Sequence, residues 1–393
     1  MKTTNRMSSA RRARACVDRR RAFTVVELLV VIGIITLLMT LLFPALTNAR
    51  RAGQDATCKS NLRQLGIGLM QYSGTSHRFC SGAFDWLHDG CVTEVGWVAD
   101  LVNSGIPVGK MLCPGNENKI AQTYNDLLQM ANPGGAEWDS CGVTRLGSQP
   151  RLDPAGATVT NPCRTIAQKY ANASDADSKE ARRQHVETAI FKQHYNTNYT
   201  ASWVLVRSGV LLDESGNVRN VDAGTCPEPL KWPRSTWGPL RAELVESADM
   251  TSAFIPLLGC GGPAAPLVAA VGTNTASSFT VKSMTNGPVL SNDMAKAPGG
   301  IGTTPYPAGT PKSTWWAEWR QTLQDYRGFA PVHRDSCNVL FADGGVRGFV
   351  DQSKDGLLNN GFAASPSWGF NSSEIELPRE EFYNDWSLRG AKY

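Results

Sequence analysis

From Phe23 to Phe43 the chain reads FTVVELLVVIGIITLLMTLLF, an apolar run interrupted by one acid, Glu27. As a helix rising about 1.5 Å per residue it spans roughly 32 Å, close to the ~30 Å hydrocarbon thickness of a bilayer. The segment is therefore predicted to cross a membrane. Eight cationic residues precede it, and only Arg50 and Arg51 follow closely. The positive-inside rule then keeps its N-terminal side in the cytoplasm and sends the rest of the chain outside. A carboxyl in that environment is costly unless something compensates it, so Glu27 requires a partner.

The formal net charge of +4 does not describe the body of the protein. Residues 1–22 carry eight Lys and Arg against Asp18 alone, so removing them changes the net charge from +4 to −3. A mildly acidic body without a basic stripe argues against a nucleic-acid partner. The 393 residues, 41% of them apolar, suffice for one large or two ordinary domains. Ten cysteines are scattered without a C-x-x-C pair, so local spacing points to neither a metal site nor a dithiol site. In an exported body such cysteines are expected as disulfides. Loss of residues 1–22 removes Cys16 and leaves nine, so at least one has no intramolecular partner.

Residues Ala22-Phe23-Thr24-Val25-Val26-Glu27-Leu28-Leu29 resemble the processing site of type IV pilins and type II secretion pseudopilins. The resemblance implies that a prepilin peptidase cuts between Ala22 and Phe23 and methylates the new amine. Glu27 then stands at the fifth mature position and Pro44 where these helices carry a proline kink. Ala22 departs from the glycine the family prefers before the cut. A carboxylate at the fifth position can pair with the amine that cleavage creates on a neighbouring subunit, neutralising two charges unwelcome in lipid. An uncleaved anchor whose Glu27 snorkels to the headgroups explains less of the motif. A conventional signal peptide cut after Ala49 would have an over-long apolar region and leave the acid unexplained.

Beyond Pro44 the helical period continues. Ala45, Ala49, Ala52 and Ala56 form a small-residue seam suited to close helix packing, and Cys58, Leu62, Leu65, Leu69 and Tyr72 form a second seam suited to a domain surface. Gly53, Gly66 and Gly68 weaken the helix and mark close approach or softness. From residue 73 short apolar runs alternate with Gly, Pro, Asn and Asp, which predicts strands and loops. Helices are expected at 176–193 and 314–326, a hairpin at 204–221, and surface loops at 259–275 and 297–313. The reading is an α+β, pilin-like fold: leader 1–22, transmembrane helix 23–43, amphipathic stem 44–72, and a mainly antiparallel β globular domain 73–350. That domain has an unassigned insertion at about 120–330, and residues 351–393 form a C-terminal extension.

Near the C-terminus, His333 is followed by Asp343-Gly344-Gly345. This H-X9-DG pattern resembles the processing-associated domain of large uncharacterised protein families from planctomycetes and related bacteria. Asn61-Leu62-Arg63-Gln64-Leu65-Gly66 and Cys113-Pro114 resemble further segments of the same proteins. Physically, Asp343-Gly344-Gly345 between two apolar runs is a hairpin signal, with His333 bonding the turn or capping an edge. A catalytic pair of His333 with Asp335 or Asp343 is the alternative, but no G-x-S-x-G or H-E-x-x-H accompanies it, so no catalytic residue and no enzyme activity are assigned.

The reading that follows is a structural or assembly subunit of a type II secretion or type IV pilus-like system. It is anchored in the inner membrane with its domain in the periplasm or at the cell surface, and its partners are prepilin peptidase and other pilin-like subunits. A tethered binding module, with Trp315, Trp316 and Trp319 as a stacking platform, is the second reading, and an exported hydrolase the third. No cofactor is expected; calcium is conceivable at Asp343, Asp351 and Asp355, which lack EF-hand spacing. Cys58, on the apolar seam, and Cys113, read as the end of a buried strand, are the candidate disulfide that would staple stem to domain, the alternative being that each is a small buried apolar residue.

Overall fold

The structure, a computed structural model, describes residues 23–131, 139, 141–214, 216–219, 226, 228–290, 311, 314, 319, 322–365 and 369–389. The chain divides after Arg50 into two compact units. Helix α1, Val25–Ser76, is 52 residues long with Pro44 inside it. In the first unit its large apolar side chains from Phe23 to Leu46 are exposed by 44% or more, and it is long and apolar enough to cross a membrane. Thr36, Thr40 and Thr47 return their hydroxyls to carbonyls of the same helix at 2.7–2.9 Å. Their polarity is thus satisfied without outside partners, as a hydrocarbon surround demands.

In the second unit the helix has one buried face, formed by Cys58, Leu62, Leu65 and Leu69, as the period predicts. Gly66 and Gly68 lie on it for a steric reason. A Cβ on Gly66 would meet Leu340 at 2.8 Å, and one on Gly68 would meet Ile106 at 2.5 Å. These glycines let the helix backbone approach the domain, and their helical cost is offset by packing. The alanine seam at 45, 49, 52 and 56 is exposed.

The helix packs on an antiparallel four-stranded sheet, which makes the domain α+β. The strands are β1 (Tyr199–Ala201), β2 (Pro256–Cys260), β3 (Ser336–Phe341) and β4 (Val346–Val350), ordered β4-β3-β2-β1. The β3–β4 hairpin closes at Asp343-Gly344-Gly345, with Phe341 N–H donating to the Gly345 carbonyl at 2.9 Å. Gly344 takes φ 81°, a conformation glycine adopts without a Cβ penalty. β1 and β2 come from the segment 120–330, which therefore supplies half of this sheet. Residues 351–389 are equally integral: Phe382 sets its ring edge-on to Phe341 and Phe349, and Trp386 and Leu388 join the same core.

Several local expectations change. Val204–Arg207 is helical within Trp203–Arg207, because Ser202 caps it by accepting from Leu205 N–H at 3.0 Å. Of the expected hairpin the Leu212–Val218 end forms, with Asp213 N–H donating to the Asn217 carbonyl at 2.9 Å and Arg219 N–H to the Leu211 carbonyl at 2.8 Å, while Ser215 and residues 220–221 lie outside the described residues. Of the helix expected at 314–326, Thr314 and Trp319 are helical, 315–318, 320 and 321 lie outside the described residues, and the end is instead a buried strand, Thr322–Asp325, paired with Gly287–Leu290. Tertiary pairing overrides its helix propensity. The loop expected at 259–275 begins inside β2. Gly259 is there because Phe329 presses on it, and a Cβ would meet that ring at 2.6 Å. The helix at 176–193 forms as Ala176–Ala189, capped by Asp175, with a 3-10 turn at Phe191–Gln193. Of the loop at 297–313 only Pro311 is described.

Candidate functional site

Two groups of residues carry chemistry. The first is the start of α1. Thr24 is its N-cap and Glu27 its third residue, and they bond reciprocally. Glu27 Oε2 accepts from Thr24 N–H and from Thr24 Oγ1–H, both at 2.8 Å, while Thr24 Oγ1 accepts from Glu27 N–H at 3.2 Å. This is a capping box, and the T-x-x-E spacing was its sequence signal. Glu27 therefore starts the helix in addition to any use of its charge in assembly. Ala22 lies outside the described residues, Phe23 is 73% exposed, and Pro44 sits within the continuous helix, where it removes one backbone donor.

The second group lies under the stem within the second unit. Cys58 Sγ is 3.4 Å from Cys260 Sγ; Cys113 Sγ is 3.9 Å from Cys260 Sγ and 3.2 Å from His333 Nε2. One ligand-type atom from each of the four residues lies within 4.8 Å of all the others. Cys58 comes from α1, Cys113 from a loop, Cys260 from the end of β2 and His333 from the turn before β3. Hydrogen bonds from the Cys260 and Cys58 thiols outweigh burial and hold Cys113 well below the usual thiol range, with the Gly115 and Asn116 amides adding to them. Burial pushes Cys260 the other way.

The expected Cys58–Cys113 bridge does not form, for both are free thiols. Nor is Met111–Pro114 the end of a strand. Side chains hold it as a loop: Asn61 Nδ2 donates to the Met111 and Leu112 carbonyls, each at 3.2 Å, and Asn198 bonds both the N–H and the carbonyl of Cys113. The disulfides are instead Cys91–Cys163 and Cys141–Cys226, each with Cα atoms 5.7 Å apart. Cys80 and Cys337 are also buried free thiols. Cys260 and the pairing of the other cysteines were missed because no local spacing marks them, and Cys260 lay in a segment read as a surface loop.

The His333 ring faces the thiols rather than the Asp343-Gly344 turn. Its backbone N–H donates to the Ser336 carbonyl at 2.9 Å. Asp343 Oδ1 accepts from Gly345 N–H at 2.8 Å, which is a turn-capping use of the carboxylate. Asp351 and Asp355 also accept from loop amides, those of Gly356 and Leu357. Trp319 is buried against Trp386, with ring centroids 5.2 Å apart, which removes it as a stacking platform. Trp315 and Trp316 lie outside the described residues.

The protein is α+β, and its N-terminal apolar helix is consistent with membrane anchoring. A family model described as the prokaryotic N-terminal methylation motif matches residues 18–43, which supports a type IV pilin-like protein processed by prepilin peptidase. Comparison with curated proteins and with solved structures finds no match.

Proposed function

We propose that this chain is a structural or assembly subunit of a type II secretion or type IV pilus-like system. Prepilin peptidase cleaves before Phe23 and methylates its amine, and the helix holds the mature subunit in the inner membrane with the domain on the far side. The observation that carries this reading is the methylation motif at the head of a helix whose large apolar side chains from Phe23 to Leu46 are exposed. The exposed alanine seam suits close packing against neighbouring helices. Two disulfides suit an oxidising compartment. The resemblance of the His333–Val346 segment to the processing-associated domain agrees with this route.

Mass spectrometry of the protein purified from its native membranes tests the reading. The expected N-terminus is a methylated Phe23. An intact Met1, or a start near Arg50, would overturn it.

A further inference from the structure

We propose that Cys58, Cys113, Cys260 and His333 bind one zinc ion that clips the stem helix to the globular domain. The donor set is three sulfurs and one imidazole nitrogen, the chemistry that selects zinc among common divalent ions. A tetrahedral zinc with bonds of about 2.3 Å to sulfur and 2.0 Å to nitrogen separates its ligand atoms by roughly 3.5–3.8 Å. Three of the six separations, 3.2, 3.4 and 3.9 Å, bracket that range, and all six lie within 4.8 Å. Four protein ligands fill the coordination sphere, so the site is structural rather than catalytic.

The surroundings fit an ion better than a disulfide. A Cys58–Cys260 bond would use two of the sulfurs and leave Cys113 and His333 without a role, whereas a metal uses all four groups. The far nitrogen of His333, Nδ1, lies 4.0 Å from Asp55 Oδ1, beyond hydrogen-bond distance but on the side where a carboxylate orients a ligating imidazole. Asp55 is itself held by Asn338 and Lys59, each at 2.7 Å. Gly115 is what lets the His333 ring in, since a Cβ there would lie 2.6 Å from its Cε1. Binding with loss of three thiol protons leaves the centre with one net negative charge. Lys119 lies beside it, donating to the Cys113 carbonyl at 2.8 Å. Three of the segments singled out by their sequence meet here: Cys113-Pro114, His333, and the helix around Asn61.

The test uses the full-length mature protein in detergent, isolated under reducing conditions. Elemental analysis should find one zinc per chain. Replacement by cobalt should give the visible absorption of tetrahedral cobalt with a sulfur-to-cobalt charge-transfer band. Cys260→Ser and His333→Asn should each lose or sharply weaken that spectrum, while Cys80→Ser, a buried thiol outside the cluster, should keep it. Chelation should lower the melting temperature of the unaltered protein by about 5 °C or more, reversed by added zinc. Because a variant can fail by unfolding, the wild-type zinc content and chelator response decide the matter alone. A folded, reduced wild-type chain that takes up no zinc would overturn the proposal. A Cys58–Cys260 disulfide in protein taken directly from cells would do the same.

Discussion

Arg207 is fully buried and forms a two-pronged ion pair with Asp89, Nη1 to Oδ1 at 2.8 Å and Nη2 to Oδ2 at 2.7 Å. Its Nε donates to the Lys231 carbonyl at 2.9 Å, so the guanidinium ties the helix Trp203–Arg207 to the turn at Asp89 and to the 3-10 helix Pro229–Lys231. Burial pushes the Asp89 carboxyl upward, with Arg207 opposing. Removing one partner leaves the other charged in a dry site. Arg207→Met is expected to destabilise the domain by about 3–5 kcal/mol in urea unfolding, and the double variant Arg207→Met, Asp89→Leu to recover much of that. Equal losses in the single and double variants would show that the pair is not the cause.

Within α1, one residue carries two tasks that a substitution can separate. Glutamine at the third helical position can still accept from Thr24, so Glu27→Gln preserves the capping box while removing the charge. Membrane insertion depends on the apolar run and should persist. Incorporation with other subunits, read by crosslinking in native membranes, should fall sharply in Glu27→Gln. Normal incorporation would mean that Glu27 matters only as a cap. The second half of the helix depends on contact rather than charge, with Gly66 and Gly68 admitting Leu340, Leu101 and Ile106.

Over the whole domain, buried acids set how stability responds to pH. Burial pushes Asp126 up to about 7 and Asp100 up to about 6, from 3.8 when unfolded. A carboxyl whose pKa rises on folding takes up a proton as the chain folds. Its stabilising contribution is complete below the unfolded pKa and is lost as pH rises through the folded one. Asp126→Asn, which cannot ionise, should therefore gain stability relative to wild type between about pH 4 and 8, in urea midpoints measured across that range. A constant difference between the two proteins would show that folding does not raise the Asp126 pKa.

The sequence alone determined a segment long and apolar enough to cross a membrane, the methylation motif, the continuation of the helix with Cys58, Leu62, Leu65 and Leu69 on one face, and the Asp343-Gly344-Gly345 hairpin. Each is a contiguous stretch whose composition, period or turn chemistry acts over a few residues. Only the tertiary structure decided that Trp203–Arg207 is a helix, because a short buried apolar run suits either state, and that Thr322–Asp325 is a strand, because its pairing with Gly287–Leu290 sets its state. It also decided which cysteines pair and which do not. Cys260 lies 202 residues from Cys58 and 147 from Cys113, and His333 lies 220 from Cys113. No spacing rule reaches across such separations, and these side chains meet because burying the stem against the sheet brings their segments together.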